Sequence, residues 1–190
     1  MRQTRLLLEK AAAGPLPDWD DLAPSFRLGQ FGKGADVFAE GEWQPFVYVV
    51  RRGMVKLSYT SDLGDEWIKS FIGDGDFFAC PNVLLAGLKT DYSAIALEDS
   101  EIEQVDYASL RHLMERHPAW QRAVLQLLQW HIVRKEQRER ELLTMRPEER
   151  YQSFLTTFPA LAPRLQVRDI AHYLGVTPEA LSRIRKRLRA

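Results

Sequence analysis

Short apolar runs separated by recurring glycines fill residues 26–105, and this pattern constrains the fold more than any other feature of the chain. Segments such as FVYVVRRGMVKLSYT and EWIKSFIGDGDFF are rich in the β-branched and aromatic residues that favour strands. Glycines suited to turns recur about every seven to twelve residues, at Gly34, Gly41, Gly53, Gly64 and Gly75. Short strands at such intervals are typical of a β-sandwich or β-barrel.

Helices are predicted on both sides of this strand region and at one point inside it. Residues 1–13 form a candidate short helix that ends before Gly14. Pro81 is suited to the first position of a helix that runs to Gly87. After Asp106 the chain reads as helical, so the order of elements predicts an α+β protein.

One long helix is predicted over residues 118–144, which contain no glycine and no proline after the first position. From Ala123 to Val133 the apolar residues lie nearly all round the helix, unlike a helix with one buried face. One side can pack on the strand domain and the other on a second copy of the chain, whereas the alternative is a helix buried inside a monomer. The residues assigned to a dimer interface are Val124, Leu127, Leu128, His131 and Ile132.

The final stretch, VRDIAHYLGVTPEALSRIRKRLRA, predicts two short helices joined by a tight turn. Apolar residues recur at helical spacing from Val167 to Leu174, and Gly175 is suited to the left-handed residue that ends a helix. Thr177 and Pro178 then supply an N-cap hydroxyl and a proline at the first helical position. Two helices joined in this way form a helix-turn-helix. The second helix is expected to bury Ala180, Leu181, Ile184 and Leu188.

The outward face of this second helix is polar and basic. The chain is neutral overall, but residues 164–190 carry a net charge of +5 and residues 1–163 therefore carry −5. A basic tail on an acidic body indicates a module that binds a polyanion, although a solvated amphipathic helix is the plainer alternative. Arg183 has the chemistry to contact a guanine edge and Glu179 to accept from cytosine. The residues assigned to DNA contact are Thr177, Glu179, Ser182, Arg183, Lys186, Arg187 and Arg189.

The composition argues against several other classes of protein. Cys80 is the only cysteine, so no disulfide, cysteine zinc site or iron–sulfur cluster is expected. The four histidines all follow the strand region, which leaves no ligand cluster for a cupin-type metal enzyme. We therefore expect neither catalysis nor a metal. No apolar run is long enough for a membrane span or a signal peptide, so a cytoplasmic protein is expected.

Three patterns follow one another in a fixed order: the strand motifs GADVFAEGE, VYVVRRGMVKLSY and GDGDFF, then the long helix, then IAHYLGVTPEALSRIRKRL. In this order they resemble the Crp–Fnr family of bacterial transcription regulators over essentially the whole chain. The resemblance implies an N-terminal β-roll, which is a double-stranded jelly roll like that of cyclic-nucleotide-binding domains. It also implies a homodimer that reads an inverted repeat in duplex DNA through a recognition helix over 178–189, and contact with RNA polymerase if the protein is an activator.

Two departures from the family pattern bear on function. Members that bind cyclic nucleotides carry a Gly-Glu pair for the ribose and an Arg-Ser pair for the cyclic phosphate. The corresponding residues here, which form the candidate effector pocket, are Ala79, Cys80, Tyr92 and Ser93. Both charged contacts are missing, so cAMP is not expected to bind, and no cofactor is expected. The chain also stops two residues after Leu188, where the family usually continues into a β-hairpin wing, so the resemblance implies a short form.

These observations predict three units: a β-roll sensor domain with flanking short helices over 1–117, a connecting and dimerisation helix over 118–144, and an all-α helix-turn-helix domain over 145–190. The alternative function is a ligand-binding or protein-binding module of the same fold whose shortened tail does not bind DNA.

Overall fold

A computed structural model describes residues 1–188 and contains two antiparallel four-stranded sheets that face each other. The strands are β1 (Phe26–Phe31), β2 (Asp36–Phe38), β3 (Phe46–Arg52), β4 (Met54–Thr60), β5 (Glu66–Gly73), β6 (Phe77–Phe78), β7 (Ser93–Ala96) and β8 (Ser100–Asp106). Their order is β1-β8-β3-β6 in one sheet and β2-β7-β4-β5 in the other. The prediction of an α+β protein built on a β-roll is confirmed.

The helices surround this roll and extend beyond it. They are α1 (Arg2–Ala12), α2 (Trp19–Leu22), α3 (Pro81–Ala86), α4 (Tyr107–Arg116), α5 (Pro118–Thr144), α6 (Pro147–Thr157), α7 (Val167–Leu174) and α8 (Pro178–Arg187). A proline stands in the first turn of α3, α5, α6 and α8, where its missing N–H costs no helical hydrogen bond. Within residues 1–188, no helix is both long and apolar enough to cross a membrane.

The turn between β3 and β4 shows why one of the recurring glycines is needed. Gly53 adopts a φ of +112°, and its N–H donates to Oδ1 of Asp74 at 2.7 Å. A Cβ at this position would lie 2.2 Å from Oγ of Ser100. A side chain here would therefore meet both backbone strain and a direct clash.

Alternation along the strands divides the apolar residues between separate cores. In β3, Tyr48 and Val50 point into the interior of the roll, whereas Val49 points outward. The outward residues of this sheet pack against α1, α4 and α5, and Trp120 at the start of α5 is fully buried there. The roll therefore holds α5 along one side.

A third core joins the opposite sheet to the last three helices. Met54, Ile68 and Phe71 of β4 and β5 pack in one cluster with Phe154 of α6 and Tyr173 of α7. Burial of each large side chain contributes roughly 1.5–3 kcal/mol, so this contact is substantial. The helix-turn-helix is thus packed on the roll, and the division into three units stays a prediction.

Candidate nucleic-acid interface, dimer face and effector pocket

The turn between α7 and α8 has the predicted helix-turn-helix geometry. Gly175 ends α7 in the left-handed conformation, with a φ of +66°. The Thr177 hydroxyl then accepts a hydrogen bond from the N–H of Ala180 at 3.2 Å and caps α8, with Pro178 at its first position. The predicted roles of Gly175 in ending α7, and of Thr177 and Pro178 in starting α8, are confirmed.

The apolar side of α8 fixes how the helix is rotated. Leu181 and Ile184 are buried against α7, and Ala180 is half-buried. The expectation that Leu188 is also buried was wrong, because 44% of its surface is exposed. Leu188 is the C-cap residue that follows α8, and it does not belong to the apolar cluster that buries Leu181 and Ile184.

The opposite side of α8 carries the residues assigned to DNA contact. All those within the described residues are exposed: Thr177, Glu179, Ser182, Arg183, Lys186 and Arg187. Hydrogen bonds from its own backbone and from Thr177, together with the charge of Arg183, lower the pKa of Glu179, so it is ionised at neutral pH. Nη2 of Arg187 lies 2.6 Å from Oε1 of Glu148 on α6, so this arginine links the two helices. Arg189 lies outside the described residues.

The residues assigned to a dimer interface divide between two sides of α5. Val124 and Leu127 are only 7% and 5% exposed, because they belong to the core that α1 and α4 form with this helix. Their assignment to the dimer interface is therefore corrected: they face the interior of their own chain. Leu128 and Ile132 lie on the other side and are 36% and 56% exposed. Leu125, which was not assigned, is 56% exposed on the same side.

His131, the remaining residue of that set, turns toward the roll. Its Nε2 atom is buried and has no hydrogen-bond partner among the described residues. Burial, reinforced by the charges of Lys69, Lys135 and Arg134, lowers the pKa of His131 to about 4. The imidazole is therefore neutral at pH 7.

The candidate effector pocket inside the roll is filled by protein side chains. Tyr92 is 1% exposed, and its hydroxyl donates to the carbonyl oxygen of Ala79 at 2.7 Å. Its ring packs against Phe38 at 5.6 Å between centroids. Cys80 is also 1% exposed, and the Ser93 hydroxyl accepts from the N–H of Glu40 at 3.0 Å. These four residues do lie together, but they supply no charged group.

A cavity of about 360 Å³ lies between the roll, α5 and the start of the helix-turn-helix unit, and Leu57, Ile72 and Phe78 of the roll interior line it. Of the four candidate pocket residues, only Ala79 lines it. Its cationic residues are Lys69, Arg134, Lys135 and Arg138, none of which was singled out from the sequence. The one available signal was a lysine inside the predicted strand segment EWIKSFIG.

Comparison with known proteins agrees with this fold. The family model described as "Cyclic nucleotide-binding domain" matches residues 28–117. The transcriptional activator protein anr of Pseudomonas aeruginosa is 29% identical over 183 residues, which span 88% of this chain and 72% of that protein. The fumarate and nitrate reduction regulatory protein of Vibrio cholerae is 28% identical over 163 residues, 80% of this chain but only 64% of that protein.

Solved structures show the same architecture. FixK2 from Bradyrhizobium japonicum superposes with a TM-score of 0.75 at 24% identity, covering 86% of this chain and 84% of that one. The catabolite activator protein of Thermus thermophilus superposes with a TM-score of 0.57 at 25% identity, covering 94% and 86%. In fold and over most of its length the chain is therefore similar to transcription regulators of the Crp–Fnr type.

Proposed function

We propose that the protein acts as a homodimer that binds duplex DNA by placing α8 in the major groove. The observation that supports this most directly is the division of α8 into a buried apolar side and an exposed polar side. Glu179 and Arg183 lie one turn apart near the start of the helix, the end that reaches base edges in helix-turn-helix proteins. Lys186 lies one turn further on, where a helix leaves the groove and meets phosphates.

The dimer gives this surface its specificity. Two copies of α8 related by a two-fold axis would lie about one turn of DNA apart, roughly 34 Å, so the preferred site is an inverted repeat. Such a regulator acts in the cytoplasm, where the bacterial chromosome lies. If the protein activates transcription, RNA polymerase is its further partner.

The test replaces single residues on α8 and measures binding to a selected site and to a scrambled duplex at several salt concentrations. Arg183→Ala should cost roughly 1–3 kcal/mol on the preferred site and reduce discrimination at one base pair in each half-site. Lys186→Ala should weaken binding to both duplexes alike and lower the salt slope by about one. Arg185→Ala is the matched control, because Arg185 is half-buried on the side of α8 opposite Arg183.

Unchanged site preference in Arg183→Ala would show that this residue does not read a base. If none of the variants alters binding to either duplex, α8 is a solvated helix and the proposal of DNA binding is wrong. The fold would then serve as a binding module for a ligand or another protein.

We also propose that the roll does not bind cAMP. The filled interior around Tyr92 and the lack of a carboxylate at Cys80 support this, because a ribose and a cyclic phosphate would enter without charged partners. Calorimetry with cAMP should show no binding at micromolar concentration. A micromolar dissociation constant would mean that the residues around Ala79 and Ser93 rearrange to admit the nucleotide.

A further inference from the structure

The basic residues on the exposed side of α8 differ in whether a carboxylate already holds them. Within residues 1–188, Arg183 and Lys186 make no ion pair. By contrast, the Arg187 guanidinium donates a hydrogen bond to the Glu148 carboxylate, with Nη2 and Oε1 2.6 Å apart. Arg187 is therefore already paired within the protein before any DNA arrives.

Arg187 lies on the side of α8 that we propose to face DNA. Glu179, Arg183 and Arg187 recur every fourth residue, and this spacing places side chains one above another along a helix. All three are exposed. A guanidinium one turn beyond Arg183 is placed to meet a phosphate, because arginines at the border of a groove make most of their contacts with the DNA backbone.

Glu148 reaches Arg187 from a different helix. It stands in the first turn of α6, 39 residues earlier in the chain, whereas Arg187 stands in the last turn of α8. Arg187 is exposed and Glu148 is half-buried, so water and ions reach the pair. Exposed ion pairs contribute little to the stability of a fold, so this one can open without unfolding the helix-turn-helix.

A carboxylate and a DNA phosphate compete for the same donors of an arginine. Both are anions whose oxygens accept hydrogen bonds from the planar guanidinium. A phosphate that approaches Arg187 must displace Glu148, and the displaced carboxylate then stays close to the negatively charged backbone. Both effects disfavour binding, and neither depends on the base sequence, because phosphate contacts carry no sequence information.

We propose that Glu148 is an internal competitor of DNA phosphate, which holds Arg187 in an ion pair and so lowers the affinity of α8 for every duplex without changing the preferred sequence. This inference rests on the proposed function, because it adds a regulating residue to the same DNA-binding surface. The affinity of α8 then depends more on Glu179 and Arg183 than its number of basic residues would indicate.

Glu149, the neighbour of Glu148, provides a matched control. Its carboxylate accepts hydrogen bonds from the backbone N–H of Arg146 at 2.8 Å and from the Arg146 guanidinium at 3.0 Å. This contact closes the start of α6, a role that glutamine also fills. Glu149→Gln therefore removes one negative charge from the same helical turn as Glu148→Gln but releases no cation of α8.

The test compares binding of the full-length wild type and four variants to a selected site and to a scrambled duplex. The variants are Glu148→Gln, Glu149→Gln, Arg187→Gln and the combination of Glu148→Gln with Arg187→Gln. Fluorescence anisotropy of labelled duplexes at several salt concentrations gives the affinity and its salt slope. Glutamine keeps the length of Glu148 and an oxygen that accepts from Arg187, so Glu148→Gln removes the charge and preserves the shape.

Glu148→Gln should bind both duplexes about two- to fivefold more tightly than the wild type, the range expected for an exposed ion pair. Its salt slope should be steeper by about one, because the released Arg187 displaces one more counterion from DNA. The ratio of the affinities for the two duplexes should stay at the wild-type value. Glu149→Gln should show only the smaller gain that comes from removing a screened negative charge, with the wild-type salt slope.

The combined variant separates pairing with Arg187 from the overall charge. In the Arg187→Gln background, Glu148→Gln should gain no more affinity than Glu149→Gln gains in the wild type, because no arginine is left to release. A purely structural role of Glu148 predicts the opposite pattern. The loss of support for α8 would weaken binding and would leave the salt slope no steeper.

The proposal is overturned if Glu148→Gln gains no more affinity than Glu149→Gln, if its gain persists in full without Arg187, or if it changes the preferred site. In each of these cases the wild type still binds DNA, so the proposed function stands and only the role of Glu148 is wrong. If neither the wild type nor Glu148→Gln binds either duplex, the proposal of DNA binding fails and this inference fails with it.

Discussion

At the scale of single residues, the surroundings of His131 and Lys69 depend on contacts that the sequence does not display. Lys69 reaches Tyr92 because one extra residue in β5 shifts its pairing with β4, and no local pattern marks the position of that bulge. By contrast, Gly175 and Thr177 were predictable, because a left-handed helix end and an N-cap depend on local backbone chemistry alone.

The neutral state of His131 predicts a specific dependence of stability on pH. Its folded pKa of about 4 lies below the unfolded value, so the unfolded chain binds the proton first as pH falls. Titration of His131 therefore leaves the free energy of unfolding unchanged above the unfolded pKa, and it lowers this free energy as pH falls toward 4. After allowance for solvent screening, the wild type should lose about 1–2 kcal/mol through this group between about pH 7 and pH 5.

Urea unfolding at fixed protein concentration measures this loss. His131→Gln should flatten the profile between about pH 7 and pH 5. His112→Gln is the control, because His112 is exposed on α4, and it should keep the wild-type slope. A wild-type slope in His131→Gln would show that this imidazole is solvated and free to ionise.

At the scale of elements, α5 shows what periodicity can and cannot decide. The length of the helix and its two apolar sides follow from the sequence, because residues 118–144 lack a helix breaker. The sequence does not predict which side of α5 faces the core of its own chain. That depends on α1, which lies more than a hundred residues earlier and contributes Leu7 and Leu8 to the same core. The assignment of Val124 and Leu127 to the dimer failed for this reason, whereas Leu128 and Ile132 stay candidates.

The dimer prediction is tested by introducing a charged side chain on the exposed apolar side of α5. In Ile132→Glu, two like charges would be buried across the two-fold axis, at a cost of about 3–5 kcal/mol, so the variant should sediment as a monomer. Val133→Glu is the matched control, because Val133 is 65% exposed and lies about 100° round the helix. A wild type that is monomeric at micromolar concentration, or a dimeric Ile132→Glu, would contradict this interface.

At the scale of the whole molecule, the helix-turn-helix unit is joined to the roll by both apolar and ionic contacts. Phe71 of β5 packs with Phe154 and Tyr173, at 6.1 and 5.5 Å between ring centroids. Beside this cluster, Nζ of Lys56 lies 2.6 Å from Oε1 of Glu66 and 3.7 Å from Oδ1 of Asp169 on α7. The longer distance is an ion pair without a hydrogen bond, and Oδ1 of Asp169 has no hydrogen-bond partner in the described chain.

Removing Lys56 should therefore weaken the attachment of α7 to the roll. Lys56 is 7% exposed and Asp169 4%, so Lys56→Met leaves the buried Asp169 carboxylate without its ionic partner and removes the lysine that pairs with the half-buried Glu66. Burial raises the pKa of Glu66, but the hydrogen bond and charge of Lys56 outweigh that effect and keep it lowered, and this support is lost as well. The expected loss is about 3–5 kcal/mol, the cost of breaking a buried ion pair from one side.

Two probes of urea unfolding locate that loss. The five tryptophans all lie before residue 131, so their fluorescence reports on the roll and α5, whereas circular dichroism also reports on α6, α7 and α8. The two transitions should coincide in the wild type and separate in Lys56→Met, with the dichroism change starting at lower urea. The matched variant combines Lys56→Met with Glu66→Gln and Asp169→Asn, which removes the unpaired charges and should recover most of the stability. If Lys56→Met unfolds in a single transition with wild-type stability, the ionic contacts contribute little and the aromatic cluster around Phe71 alone holds α7, and with it α8, on the roll.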